Sequence, residues 1–142
     1  MSFDLPAATY SYLERSATSL REAIIDTDAG MRYAHAHVAA LRATAALLAA
    51  KATPMIAKRG RAPQRNAWVL LAEVAPELAE WATFFSAGAA KRAAAEAGSR
   101  RAVTEREADD LVRDADRFLG LVETYLGLKP HPSIPEQIVF AS

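Results

Sequence analysis

Arg32, His35, His37 and Arg42 all lie within one short stretch, RYAHAHVAALRATAALLAA, which has the apolar spacing of a helix. An arginine can bind an anion or orient a reacting group while a nearby imidazole accepts or donates a proton. Arg32 and His37 are five residues apart, and that separation turns two side chains on a helix apart by about 140°. They point to different sides, so we interpret His37 as a packing residue.

Arg32 and His35 are three residues apart, and Arg42 follows His35 by seven. These spacings place all three side chains on one flank of a helix. No residue is assigned a catalytic role outright, but Arg32 and His35 are the candidates for one, and Arg42 is a candidate for binding. The alternative is that His35 borders the core while the arginines are solvated or paired with carboxylates of an adjacent helix.

A second cationic feature is the segment KRGRAPQR, residues 58–65, in which glycine and proline indicate a loop. Phosphate contacts need only mobile cations and no base-specific geometry. The segment could therefore contact a nucleic acid or a nucleotide through Lys58, Arg59, Arg61 and Arg65. The alternative is a solvated basic loop without a ligand.

Motifs typical of metal and cofactor sites are missing from the sequence. An acidic stretch contains Glu105, Glu107, Asp109, Asp110, Asp114 and Asp116, but these carboxylates scatter around a helix and no Glu-x-x-His accompanies them. No cysteine is present, so zinc-thiolate sites and disulfides are excluded. We expect neither a metal nor a cofactor.

The composition favours a single helical domain. The 142 residues include 33 alanines, which suit closely packed helices, and few runs of β-branched residues. Seventeen basic and seventeen acidic side chains cancel, so no global field attracts the chain to nucleic acid or to a membrane. No apolar run reaches the ~20 residues of a membrane span and the start lacks a signal peptide, so we expect a cytoplasmic protein with no membrane partner.

Apolar spacing predicts a first helix over residues 8–26 and a second over 29–52, capped by Asp28. The inner stripe of the second helix is predicted to be Met31, Ala34, Val38, Leu41, Ala45 and Leu48. A third helix should begin near Pro63 and should kink or restart at Pro76, which lacks a backbone N–H.

The motif TERE, residues 104–107, is a capping box that predicts the start of the last helix. That helix should bury an apolar stripe and end at Gly127 in a left-handed conformation; the stripe is Ala108, Leu111, Ala115, Phe118, Val122 and Leu126. Three prolines follow. We expect an all-α, antiparallel four- to five-helix up-and-down bundle over residues 1–128 and an extended C-terminal arm over 129–142.

Three stretches in this order carry a resemblance to a known family: AHAHVAALRATAALLAA, RNAWVLLAEVAPELAEWATFFSAGAAKRAAAEAG and AVTEREADDLVRDADRFLGLVETYLGL. Over about residues 9–128 the chain resembles a small actinobacterial branch, the SAV type, of the HEPN superfamily of higher eukaryote and prokaryote nucleotide-binding helical bundles. The resemblance implies a four-helix bundle that is often a dimer. Many members are ribonucleases or partners of nucleotidyltransferases in toxin-antitoxin pairs.

Active HEPN ribonucleases carry an arginine and, four to six residues later, a histidine in the latter half of the bundle. The corresponding region here, residues 91–107, has arginines but no histidine. The resemblance therefore favours a non-catalytic bundle that acts through protein or RNA/nucleotide contacts. The alternatives are a metal-independent ribonuclease built from Arg32 and His35, and an antitoxin-like structural subunit that binds a partner.

The end of the chain, SIPEQIVFAS, contains an apolar run of Ile138, Val139 and Phe140. Leaving such a run in water costs about 25 cal/mol per Å², so we expect it to be covered. Either a homodimer or a heteromeric pair would cover it, or the arm would fold back on its own subunit.

Overall fold

The computed structural model describes residues 4–51 and 66–141, with side chains up to residue 137. The expected all-α fold is confirmed, since no strand occurs in these two ranges. The helices are α1 (Ala7–Ile25), α2 (Ala29–Lys51), α3 (Ala67–Val74), α4 (Ala79–Ala87), α5 (Ala89–Glu96), α6 (Glu105–Tyr125) and α7 (Ile134–Ala141), with a 3₁₀ turn at Pro76–Leu78 between α3 and α4. Among the described helices, none is long and apolar enough to cross a membrane.

Helix α2 is the centre of the bundle, because α1, α3, α5 and α6 all pack against it. The predicted inner stripe is wrong in phase: of its six members only Ala34 is buried, while the other five are partly exposed. The buried face instead comprises Tyr33, Ala34, Ala36, His37, Ala39, Ala40, Ala43, Thr44, Ala46 and Leu47. Neighbours on several sides bury most of the circumference, so the larger side chains do not mark a single inner face.

Helices α1 and α2 approach closely through small residues. On α1 the Thr9 hydroxyl donates to the Ala46 carbonyl at 3.0 Å, and the Ser16 hydroxyl donates to the Ala39 carbonyl at 2.7 Å. Both hydroxyl-bearing residues are fully buried. A buried hydroxyl is costly unless it is hydrogen-bonded, and the backbone of α2 supplies the acceptors only because alanines let the helices come together.

The expected break at Pro76 is confirmed, because α3 ends at Val74 and the 3₁₀ turn begins with this proline. Pro63, the predicted start of the third helix, lies outside the described residues. The described helix begins at Ala67, where the Asn66 side chain accepts from the Trp68 amide at 2.8 Å. This N-cap satisfies one of the free amides of the first turn.

Helix α6 matches its prediction closely. The Thr104 hydroxyl accepts from the Glu107 amide at 3.0 Å, and the Glu107 carboxylate accepts from the Thr104 amide at 2.9 Å. All six residues of the predicted stripe are buried. Gly127 has a φ of 80°, the left-handed conformation expected at the helix end.

The C-terminal segment differs from the extended arm expected from its prolines. Residues 134–141 form α7, which packs against α1 and α6, and Ile134 is 2% exposed. Pro135 is the second residue of this helix, a position in the first turn whose amide has no intrahelical acceptor. The side chains of Ile138, Val139 and Phe140 lie outside those that the structure describes.

Candidate functional site

The Arg32 guanidinium faces protein groups, and its side chain is only 13% exposed. Its Nη1 lies 3.1 Å from a Glu105 carboxylate oxygen and 3.0 Å from an Asp109 carboxylate oxygen, both on α6. Its Nε donates to the Asp26 carbonyl at 3.2 Å. Arg32 therefore ties the start of α2 to the start of α6 and to the residue that follows α1.

His35 lies beside Arg32 as its spacing predicted. Its Nε2 is 3.6 Å from an Asp26 carboxylate oxygen, and about a third of the side chain, 32%, is exposed. The two catalytic candidates thus converge on Asp26, which offers its carbonyl to Arg32 and its carboxylate to His35. This is the only part of the predicted site that the described residues bring together.

Arg42 lies elsewhere. Seven residues of helix separate it from His35 by about 10 Å along the axis. Its Nη1 donates to the Ser19 hydroxyl on α1 at 2.8 Å, in a partly buried position. Its role as a binding residue stays a prediction, and the structure shows a contact that joins α1 to α2.

His37 is a packing residue, as interpreted from the sequence. The ring is 2% exposed and lies 5.8 Å from the Trp68 ring and 6.3 Å from the Phe85 ring, both in edge geometry. Nε2 lies 2.8 Å from the Phe85 carbonyl, so this nitrogen carries the proton and donates it. Burial lowers the pKa of His37, and its Nδ1 has no hydrogen-bond partner among the described residues.

His131 is the titratable residue that sequence reasoning missed. Its Nε2 lies 2.8 Å from Asp116 and its Nδ1 lies 2.5 Å from Glu123, both through carboxylate oxygens. The same oxygens accept the backbone amides of Ile134 and His131, at 3.1 and 3.0 Å. Hydrogen bonds to Asp116 and Glu123 raise the pKa of His131 to about 9. The protonated ring of His131 is thus hydrogen-bonded through both nitrogens and links the C-terminal segment to α6.

A signal for this contact is present in the sequence. Asp116 and Glu123 are seven residues apart on one helix, so they share a face. His131 stands between two prolines shortly after that helix ends, where the chain has turned back. The pairing depends on that reversal, which the spacing of the residues alone does not reveal.

In the region of residues 91–107, where the resemblance places a catalytic pair, two of the five cations form ion pairs within the protein. Lys91 forms an ion pair with Glu107, the carboxylate that also completes the capping box, and this contact raises the pKa of Lys91 and lowers that of Glu107. Arg92 pairs with Glu96 one turn later at 3.2 Å. Arg100, Arg101 and Arg106 are exposed.

The basic residues predicted to contact phosphate, Lys58, Arg59, Arg61 and Arg65, lie outside the described residues. Their role stays a prediction. Within the described ranges, no group of three or more histidine, aspartate or glutamate side chains has the arrangement of a metal site.

A family model for SAV-like HEPN domains matches residues 23–123, which extend from the end of α1 almost to the end of α6. This range contains the central helix α2, the helices α3 to α5 and most of α6. No curated protein and no solved structure gives a significant match.

Proposed function

Because the chain belongs to the SAV-like HEPN family, we propose that it is a HEPN bundle without ribonuclease activity that acts through contacts with a partner, foremost a protein. The observation that carries this proposal is the use of the histidines inside the fold. The chain has only three histidines. The ring nitrogens of His37 and His131 make hydrogen bonds within the protein. An Arg/His ribonuclease needs an imidazole that reaches the RNA.

His37 and His131 do not meet this need. His37 is enclosed by aromatic rings and donates its one proton to a backbone carbonyl. Both ring nitrogens of His131 face carboxylates, and its pKa of about 9 keeps it protonated at neutral pH. His35, with 32% of its side chain exposed, is the most accessible of the three histidines.

The surroundings of His35 oppose a phosphate. Arg32, which shares Asp26 with His35, already contacts Glu105 and Asp109 through its guanidinium. With Asp26 beside His35, three carboxylates surround one arginine and one imidazole. The local charge is therefore negative at neutral pH, and an RNA backbone would be repelled rather than held.

The second candidate function is the metal-independent ribonuclease built from Arg32 and His35. One observation favours it: the two side chains converge on Asp26, and His35 retains access to solvent. Opening the ion pairs of Arg32 would be needed to bring a phosphate to this pair.

The partner is proposed to be a second copy of the chain or a different protein, as in an antitoxin-like pair. Additional contacts with RNA or a nucleotide through residues 58–65 stay a prediction. The charge of that segment is compatible with either kind of partner.

Incubation of the purified protein with structured and unstructured RNAs should leave every RNA intact, because the arginine that shares Asp26 with the accessible His35 is already paired with carboxylates. The readout is denaturing gel electrophoresis over several hours, with circular dichroism to verify folding. Cleavage that disappears in both Arg32→Ala and His35→Ala, but persists in Arg21→Ala, would overturn the proposal. Arg21 is an exposed arginine on α1 and is the matched control.

A further inference from the structure

The charges of this chain are divided unevenly. Four of its seventeen cations lie in residues 58–65, which contain no carboxylate, so the rest of the chain has thirteen cations and all seventeen carboxylates. The imbalance is sharpest in residues 66–90, which contain Glu73, Glu77 and Glu80 but no lysine or arginine. Helices α3 and α4 and the 3₁₀ turn between them therefore carry three carboxylates and no cationic side chain of their own.

Aromatic side chains accompany one of these carboxylates, Glu80, on α4. Phe84 is 46% exposed and meets the partly exposed Trp81 in edge geometry, with 6.3 Å between the ring centroids. Together with Glu80 and Asp114 they line a groove of about 330 Å³ between α4 and α6. Two aromatic rings and two carboxylates thus face one open space. We call it the α4/α6 groove.

Asp114 is a partly buried carboxylate that makes no direct contact with a cation among the described residues. The side chain is partly buried, and this burial is the main cause that raises its pKa. The charges of Arg117 and Arg113 on the same helix lower this pKa, but less than burial raises it. Arg113 itself contacts Asp110 at 3.4 Å. A partly buried carboxylate is stabilised by a nearby cation. Lysine and arginine suit a carboxylate beside aromatic rings, because their methylene groups can pack against the rings.

We propose that the α4/α6 groove binds an arginine or lysine side chain presented by a partner protein. The cation would lie against the aromatic rings and be held by the carboxylates of Glu80 and Asp114, a combination that suits an organic cation. The same carboxylates repel phosphate, which favours a protein over RNA at this surface. The inference rests on the proposed function, in which the bundle acts by binding.

The opposite side of α4 supplies a place for the rest of such a segment. A second groove of about 600 Å³ runs between α3 and α4 and is lined mainly by apolar side chains, among them Trp68, Val69 and Ala72. Val69 is 49% exposed. A partner segment that crosses α4 would place an apolar side chain in this second groove and its cation in the α4/α6 groove.

The test uses the indole N–H signals of the full-length protein, because the chain has only two tryptophans. The probe is a capped hexapeptide of sequence Ala-Leu-Arg-Lys-Leu-Arg, and the matched control peptide carries glutamine at each cationic position. In ¹⁵N-resolved NMR titrations the basic peptide should shift the Trp81 signal saturably, whereas the glutamine peptide should not.

Protein variants locate the binding. The double variant Glu80→Gln/Asp114→Asn should weaken peptide binding by about 5–30-fold, the range expected for loss of a cation site. Glu77→Gln removes a nearby exposed carboxylate outside the groove and should leave binding unchanged.

Three outcomes would overturn the inference: no saturable shift of Trp81, equal binding of the glutamine peptide, or undiminished binding by the double variant. A shift of Trp81 by single-stranded RNA in place of the peptide would also overturn it. Absence of peptide binding while RNAs stay intact refutes the groove alone, whereas RNA cleavage refutes the proposed function.

Discussion

Replacing Phe85 by alanine is expected to lower the free energy of unfolding by about 3–5 kcal/mol. Phe85 is fully buried and is the centre of an aromatic cluster. Its ring centroid lies 5.0 Å from Phe118, 5.4 Å from Trp68 and 5.9 Å from Trp81. Truncation would remove these contacts and leave a cavity at the junction of α3, α4 and α6, which the surrounding rings could fill only in part.

Urea unfolding followed by tryptophan fluorescence and circular dichroism measures this effect. The matched control is Phe84→Ala, the same substitution at the adjacent exposed position, which should cost less than about 1 kcal/mol. Similar losses of stability in the two variants would contradict the placement of Phe85 at the centre of the core.

The second large effect is a loss of stability at alkaline pH that depends on His131. Its pKa is raised from 6.5 to about 9 by the carboxylates of Asp116 and Glu123. A raised pKa in the folded state means that the stabilisation is fully present below pH 6.5 and is lost as the pH rises through about 9. The contribution is about 2–3 kcal/mol, because deprotonation leaves two carboxylates facing a neutral ring.

Chemical unfolding of the wild type and of His131→Gln between pH 6 and pH 10 tests this prediction. Glutamine keeps hydrogen-bonding capacity but does not titrate, so the variant should be less stable at pH 6 and should lose less stability than the wild type towards pH 10. Parallel pH profiles for the two proteins would show that His131 does not supply the pH dependence.

Local signals in the sequence were sufficient for the helix boundaries that depend on neighbouring residues. The TERE capping box, the break at Pro76 and the left-handed Gly127 each act through the backbone within a few residues. Interactions between residues only a few positions apart can be predicted from the spacing of those residues in the sequence. The all-α class follows in the same way from composition and apolar periodicity.

Features that depend on long-range packing could not be predicted in this way. The inner face of α2 was assigned wrongly because alanine gives little contrast between faces and because four helices surround α2. Three prolines after α6 predict an extended segment, but Pro135 stands in the first turn of α7, where a residue needs no intrahelical acceptor for its amide. The His131 contact requires the chain to reverse after α6.

The candidate site was predicted only in part. Spacing correctly placed Arg32 and His35 together, but the carboxylates that occupy Arg32 come from α6, more than seventy residues later. The alternative in which the arginines pair with carboxylates of an adjacent helix describes Arg32. The α4/α6 groove combines Glu80, Trp81 and Phe84 with Asp114, and the spacing of residues in the sequence does not show that α4 and α6 lie side by side there.

The most direct test of the central claim, that the histidines serve the fold rather than RNA cleavage, is an NMR titration of the three imidazole signals with and without single-stranded RNA. We expect a midpoint near 9 for His131 and a midpoint below its usual range for His37. RNA should leave the signals of all three histidines unchanged. A His35 or His37 signal that shifts saturably with RNA would contradict the account, because it would place an imidazole in contact with the nucleic acid.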